Sequence, residues 1–355
     1  YLPFPQILPG FSWVQLVAKQ HTDPRLEVLV KDKHREMRNV LFRAVDFASV
    51  QRAMDIGCGY SSDLVRLARE HPHLHLDGFT ISPSQVTMGT RKIERAGLHD
   101  RVRVHYADST KDPFPAPCEL VYGVEVLVHI KDKGAVFANM DDHLHDGGYL
   151  VMADFTSNIR TEIDLDEIGT FTITKEQWLE LFAAHHFALI DCVDVSQEMA
   201  NSLYDPDYQR HQPQSGKDAA MVFSGYQSMD NHLHRSLKEG FVSYLLMTLR
   251  RDNSQSPAQL TESNRARLFA PTPYRQVLTQ EPQRRRDTLG FFGPPTASHP
   301  VGQPTMPAVA AATPSAEQLM DALLDAIKAE IARLLGFAVA DLQATMTFEE
   351  LGVQS

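Results

Sequence analysis

The stretch Arg52-Ala53-Met54-Asp55-Ile56-Gly57-Cys58-Gly59-Tyr60 decides how this chain folds. A short apolar run carrying an acidic residue passes into a turn with two glycines, and a helical pattern begins near Ser62. Glycine suits such a turn because the backbone must reverse tightly and approach a ligand with no Cβ in the way. Alone, the motif also suits a phosphate-binding loop or a plain strand–helix turn. Dinucleotide binding asks for a third glycine, and Ser62 stands in its place.

On either side of this turn the pattern extends. Apolar runs at 52–56, 74–80, 102–108, 119–124 and 149–155 alternate with helical stretches, which predicts a doubly wound α/β sheet. Runs at 187–193 and 243–249 supply two more strands, so seven are expected, the last returning antiparallel. Residues 1–50 open on a Pro-containing segment. Their apolar positions, Phe11, Val14, Leu16 and Val17, then Val40, Leu41, Ala44 and Val45, predict a helical cap. Residues 51–252 form the core domain. Repeated Pro, Ser, Gln and Ala over 253–315 predict a linker, part of which, within 261–291, packs along the domain surface. Residues 316–355 begin with an amphipathic helix marked by Leu319, Leu323, Ile327, Ile331 and Leu334. The chain starts at Tyr1 without Met and stops abruptly at Ser355, so both ends are read as cut from something longer.

Composition narrows the function. A net charge of −11 argues against nucleic acid as the main partner, since phosphate binding draws on clustered Lys and Arg. The dense basic cluster Arg284-Arg285-Arg286 falls in the expected linker and is read as solvated. Cys58, Cys118 and Cys192 match neither a disulfide framework nor metal-ligand spacing, so no metal is expected and the thiols are read as buried in a reducing, cytoplasmic setting. No apolar run approaches the ~18 residues of a membrane helix.

Beyond the glycine turn, the strand ends carry a series of polar residues in order. The second strand runs into Gly78-Phe79-Thr80-Ile81-Ser82-Pro83-Ser84-Gln85, the third ends in Ala107-Asp108-Ser109, and the fourth ends in Gly123-Val124-Glu125. In an open α/β sheet these positions, with Asp55, gather at one edge where a ligand lies. Singly, Asp108 suits a turn, and Thr80 and Ser82 suit a helix cap. Together, across about 50–250, they resemble the class I S-adenosylmethionine-dependent methyltransferases, whose fold is a Rossmann-like seven-stranded sheet. The Gly-x-Thr-x-Ser-x-x-Gln stretch is similar to the branch that includes cyclopropane fatty acid synthases. The resemblance implies S-adenosylmethionine as cofactor, with Gly57 and Gly59 at its methionyl part. It implies Thr80, Ser82 and Gln85 near the ribose, and Asp108 and Ser109 at the adenine. Most relatives place an acid at the end of strand two; here Thr80 or Ser82 occupies that place.

Methyl transfer needs a positioned acceptor and a base for its proton. His129 follows the fourth strand in Glu125-Val126-Leu127-Val128-His129-Ile130, and Asp154 ends the fifth. A carboxylate there is expected to accept from the second imidazole nitrogen and hold the tautomer, as a base–orienter pair. The bland reading makes His129 a helix cap and Asp154 a loop support. Modular polyketide synthase methyltransferases resemble the pair, with a Glu where Asp154 stands. His71, His73 and His75 straddle Pro72 and are read as solvated.

The ending Phe348-Glu349-Glu350-Leu351-Gly352-Val353-Gln354-Ser355 resembles the start of an acyl carrier domain, with Ser355 as the phosphopantetheine attachment position and Gln354 where Asp is usual. The resemblance implies a domain of a type I polyketide synthase, working on a thioester presented by a carrier beside neighbouring synthase domains. Residues 1–50, 156–175 and 196–240 are candidate lids, with Trp13, Tyr204, Tyr208 and Phe223 as candidate lining. Either an oxygen or the α-carbon of a β-keto thioester satisfies the same base. The Asp-Ile-Gly-Cys-Gly turn and the run through His129 to Lys133 look closer to oxygen-methylating domains. A third possibility is a domain that binds cofactor without chemistry.

Overall fold

The computed structural model describes residues 24–165, 169–204 and 233–280. An eight-stranded sheet forms its centre, in the order β10-β8-β9-β5-β4-β1-β2-β3. The strands are β1 (Arg52–Asp55), β2 (His75–Thr80), β3 (Val102–Tyr106), β4 (Cys118–Val124), β5 (Leu144–Ser157), β8 (Phe187–Asp194), β9 (Val242–Arg251) and the short β10 (Thr272–Pro273). β1 to β5 run parallel, and β9 lies antiparallel between β5 and β8. The seven expected strands are all present, and the last one returns antiparallel as read from the sequence.

Side-chain alternation explains why helices cover both faces. Along β5, Val151 and Ala153 enter one apolar cluster while Leu150 and Met152 enter the other. On β1, Ala53 and Met54 divide the same way. α1 (Pro24–Leu41), α2 (Ser62–Glu70) and α3 (Pro83–Arg95) pack on the first face, and α4 (Lys133–His143) and α5 (Lys175–Ala184) on the second. α6 (Ser196–Leu203) follows β8 on the first face. Arg43 ties the end of the cap to β8 through two 2.6 Å hydrogen bonds to Asp191.

One expectation about organisation changes. The proposed linker does not begin at 253: α7 (Pro257–Phe269) and α8 (Tyr274–Gln280) are helical and belong to the domain. α7 opens with a capping box between Ser256 and Gln259 and Pro257 in its first turn. It buries Leu260, Asn264 and Leu268 on one stripe. Asn264 accepts from the Leu189 amide at 2.6 Å and donates to the Phe187 carbonyl at 2.8 Å, satisfying β8 beside its register shift. Within the 156–175 insertion a second, two-stranded sheet appears, β6 (Ile163–Leu165) paired antiparallel with β7 (Thr170–Thr172). In the expected cap, the described helix is α1, followed by a 3-10 turn at Phe47–Ser49. Residues 1–23, residues 281–315 of the expected linker, and the carrier-like segment with Ser355 lie outside the described residues, as do Trp13, Tyr208 and Phe223.

Cys58, Cys118 and Cys192 are buried free thiols. No described helix is long and apolar enough to cross a membrane, and no group of metal-ligating side chains assembles among the described residues. His71 stacks on Phe47 with ring centroids 3.9 Å apart, and His73 shares a hydrogen bond with the Phe47 carbonyl at 2.9 Å, so this histidine run braces the cap.

Candidate active site

The β1 turn is shaped from within. Asp55 is buried and its Oδ1 accepts the Gly57 amide at 3.0 Å. Burial pushes the Asp55 carboxyl up to about 8, against that amide, which favours the charged form. Gly57 is required by its neighbour: a Cβ there would stand 2.5 Å from a Val126 methyl, too close for any side chain. Gly59 has φ of +49°, in the left-handed region that glycine adopts at no steric cost.

At the end of β2, Thr80 donates to Gln85 Oε1 at 2.5 Å and accepts from the Ser82 amide at 3.3 Å. The Gln85 carbonyl is thereby occupied and its amide N–H groups remain to donate. Ser82 pairs instead with Ser84 at 3.0 Å. Beyond β3, Asp108 accepts from the Thr110 amide and hydroxyl at 3.0 and 2.7 Å and from Lys111 Nζ at 2.8 Å. Burial opposes its ionisation, but Lys111 and Thr110 outweigh that and hold the carboxyl below its ordinary range. Asn139 of α4 fixes this loop by donating to the carbonyls of Ser109 and Asp112 at 3.0 and 2.7 Å.

β4 ends on Glu125 with φ of +55°, a strained conformation for a residue with a side chain and one that gathers at functional sites. Its amide donates to the Ala153 carbonyl at 2.8 Å, so the kink is held from β5. The chain then enters a 3-10 turn, Leu127–His129. Asp154 lies beneath that turn, 1% exposed, and both of its oxygens take backbone amides: Val128 at 3.0 Å and Phe155 at 2.8 Å. Burial pushes its carboxyl up to about 7, while the two amides and the Lys133 ammonium pull the other way.

The expected pairing of His129 with Asp154 is therefore not the one formed. The exposed His129 places Nδ1 2.7 Å from the carbonyl oxygen of Gly169, just before β7. A β5 carboxylate whose oxygens are held by two amides of its own neighbourhood is committed to the loop. The ring partner comes from the hairpin instead.

One cleft of about 700 Å³ joins these parts, within the range of about 300–1,000 Å³ usual for small-molecule sites. Gly57, Gly59, Thr80 and Gln85 line it, as do Asp108, Ser109, Glu125 and His129. Asp55, Ser82 and Asp154 do not line it; Asp55 and Asp154 brace the loops that do. Sequence reasoning missed Tyr60, Ile81, Val126 and Ile130 as apolar lining. Tyr60 sat inside the glycine motif, whereas nothing in the sequence marks Val126 as the partner of Gly57. The cleft suits S-adenosylmethionine: Gly57 and Gly59 line it with backbone free of side chains, and Thr80, Gln85 and Asp108 ring it with donors and acceptors.

Comparison with known proteins agrees with this geometry. The methyltransferase domain family matches residues 54–150. The chain is 36% identical over 278 residues to the polyketide synthase ThaQ of Burkholderia thailandensis, covering 78% of this chain and 13% of ThaQ. It thus spans only a small part of that relative's length. Among solved structures it is similar to the O-methyltransferase of a trans-AT polyketide synthase multienzyme of Brevibacillus brevis in complex with S-adenosyl-L-homocysteine. That match has 30% identity and a TM-score of 0.72, covering 78% of this chain and 92% of the other. It is also similar to the StiE O-methyltransferase domain, with 36% identity and a TM-score of 0.68, covering 78% and 95%.

Proposed function

Because the chain belongs to the class I S-adenosylmethionine-dependent methyltransferases, in the branch of polyketide synthase methyltransferase domains, we propose that it methylates an oxygen of a polyketide intermediate. The acceptor is the β-hydroxyl, or an enol, of an acyl thioester presented by an acyl carrier domain, with His129 as base. The observation that carries this reading is the 2.7 Å contact between His129 Nδ1 and the Gly169 carbonyl. A carbonyl only accepts, so in the neutral imidazole Nδ1 bears the proton and Nε2 keeps its lone pair.

When bound, S-adenosylmethionine supplies a methyl group on a sulfonium, whose leaving thioether is neutral. The protein therefore needs no acid for the leaving group. Gly57 and Gly59 hold the methionyl part, Thr80 and Gln85 the ribose, and Asp108 with Ser109 the adenine. His129 Nε2 takes the acceptor proton as the oxygen is methylated, and the Gly169 carbonyl accepts from the imidazolium that results. Asp154 acts through the His129 turn as a positioning residue. Support for oxygen comes from the two solved polyketide synthase domains at 30% and 36% identity, both of which bear O-methyltransferase names. Neighbouring synthase domains would deliver the substrate, as the alignment to part of a polyketide synthase suggests.

Intact-mass measurement tests the proposal. The protein is incubated with S-adenosylmethionine and carrier-bound β-hydroxyacyl or β-ketoacyl thioesters, beside a His129→Ala variant. A gain of one methyl on the β-hydroxy substrate, lost in the variant, is the expected result. A gain confined to the β-keto substrate, located on its α-carbon by fragmentation, would make this a carbon methyltransferase. No gain on either, with cofactor bound, would leave a binding domain without chemistry.

A further inference from the structure

Lys133 is the first residue of α4 and is 4% exposed. Both facts count against a lysine. The N-terminal end of a helix carries partial positive charge, and a buried ammonium loses its hydration. Its Nζ is held by two carbonyls, Ile130 at 2.8 Å and Phe171 at 2.6 Å. Burial draws the ammonium down to about 8, and the Asp154 and Glu162 carboxylates oppose that fall.

The two carbonyls lie on the two bodies that meet at His129. Ile130 follows His129 directly in its turn, and Phe171 sits on β7 two residues past Gly169, whose carbonyl accepts the hydrogen bond from His129. The same hairpin also touches the turn through Lys131, which pairs with Asp164 at 2.9 Å and lies over the Phe171 ring at 5.2 Å. That pair is well exposed, and exposed ion pairs contribute little. Of the two lysine contacts, the buried bridge through Lys133 is the one able to fix the separation.

We infer that Lys133 is a positioning residue whose ammonium clamps the β6–β7 hairpin to the His129 turn and thereby holds the imidazole with Nδ1 on Gly169 and Nε2 available to the cleft. Its importance for catalysis rests on His129 being the base; the clamp itself does not. An imidazole released from Gly169 loses the partner that selects its tautomer, and small displacements of a reacting group cost rate steeply.

The test uses the full chain labelled with 15N at histidine. A long-range 1H–15N spectrum reads the His129 tautomer, with the signal assigned by its loss in His129→Gln. The wild type is expected to show protonation at Nδ1 alone. In Lys133→Met we expect a mixture of tautomers and single-turnover methyl transfer slowed by about 10- to 100-fold, with S-adenosylhomocysteine affinity held within about twofold. Asp164→Asn, which breaks only the exposed pair, is expected to change neither readout. An unaltered tautomer in Lys133→Met would overturn the inference, whatever happens to the rate. So would a rate loss that tracks a matching loss of cofactor affinity. Should Lys133→Met not fold, Lys133→Arg carries the test, because its longer forked donor displaces the Phe171 contact: a shifted tautomer supports the clamp and a wild-type spectrum contradicts it. If His129→Gln transfers methyl as fast as wild type, the base assignment falls, while the tautomer still decides the clamp.

Discussion

The proposed cofactor half and the proposed acceptor half of the cleft are built in different ways. Around β1, β2 and β3 the deciding side chains bond within their own loops: Asp55 to Gly57, Thr80 to Gln85, Asp108 to Thr110, all two to five residues apart. Around β4 and β5 they bond across the sequence. Asp154 reaches Val128 over 26 residues, Lys133 reaches Phe171 over 38, and His129 reaches Gly169 over 40. The first half is a set of turns on strand ends closed chiefly by their own residues, while the second is an assembly of three segments. The proposed cofactor loops should therefore tolerate changes in the acceptor half, whereas the proposed base, His129, depends on several distant parts.

The largest effect should come from the assembled half. His129→Ala is expected to slow methyl transfer by about 10²- to 10⁴-fold while leaving S-adenosylhomocysteine affinity, measured by calorimetry, near wild type. A parallel loss of affinity would erase the distinction between the halves. Next comes a place where they touch. Gly57→Ala drives a Cβ into Val126 and should weaken cofactor affinity by about 10- to 100-fold. Adding Val126→Ala should recover part of that loss, and a double variant no better than Gly57→Ala would mean that the clash lies elsewhere.

Asp154→Asn sharpens the role of the buried carboxylate. The amide can accept one of the two backbone N–H groups and presents its own donors to the other, a cost of about 1–3 kcal/mol in stability. The expected result is a lowered urea midpoint with a rate loss of about tenfold. If Asp154 were the direct partner of the imidazole, the loss would instead approach about 10⁴-fold, as when a triad acid is neutralised.

The last effect is a pH slope. Asp55 is held up to about 8 in the fold, whereas a carboxyl in an unfolded chain titrates near about 3.9. Between those values the native chain binds the extra proton, so stability falls as pH rises and the contribution is lost through about pH 8. Asp55→Asn has no proton to lose. The wild type's stability relative to this variant should decline from pH 4 towards pH 8, and a constant difference would refute the buried, protonated carboxyl.

The same division explains what could be read from the sequence. Strands β1 to β5, β8 and β9 were legible because alternating burial writes itself into short apolar runs. The loops proposed to hold the cofactor were legible as turns at strand ends, because their bonds close within a few residues. Gly169 and Lys133 were not, since a glycine carbonyl has no side-chain signature and a lysine at a helix start reads as a solvated charge. Asp154 was found but given the wrong partner, because sequence shows that a carboxylate is near the site and not which N–H groups claim it. In the 253–315 stretch, composition overshadowed a local signal: Ser256-Pro257-Ala258-Gln259 is a helix start that the surrounding Pro and Ser content obscured.

The central claim is that the polarised His129 turn serves oxygen. Its most direct test gives the enzyme an equimolar mixture of β-hydroxyacyl and β-ketoacyl carrier thioesters with S-adenosylmethionine labelled with 13C at its methyl group. The product is read by 13C NMR. The account predicts a labelled methoxy carbon that disappears in His129→Ala. A labelled methyl bonded to the α-carbon, or a methoxy signal that survives the loss of His129, would contradict it.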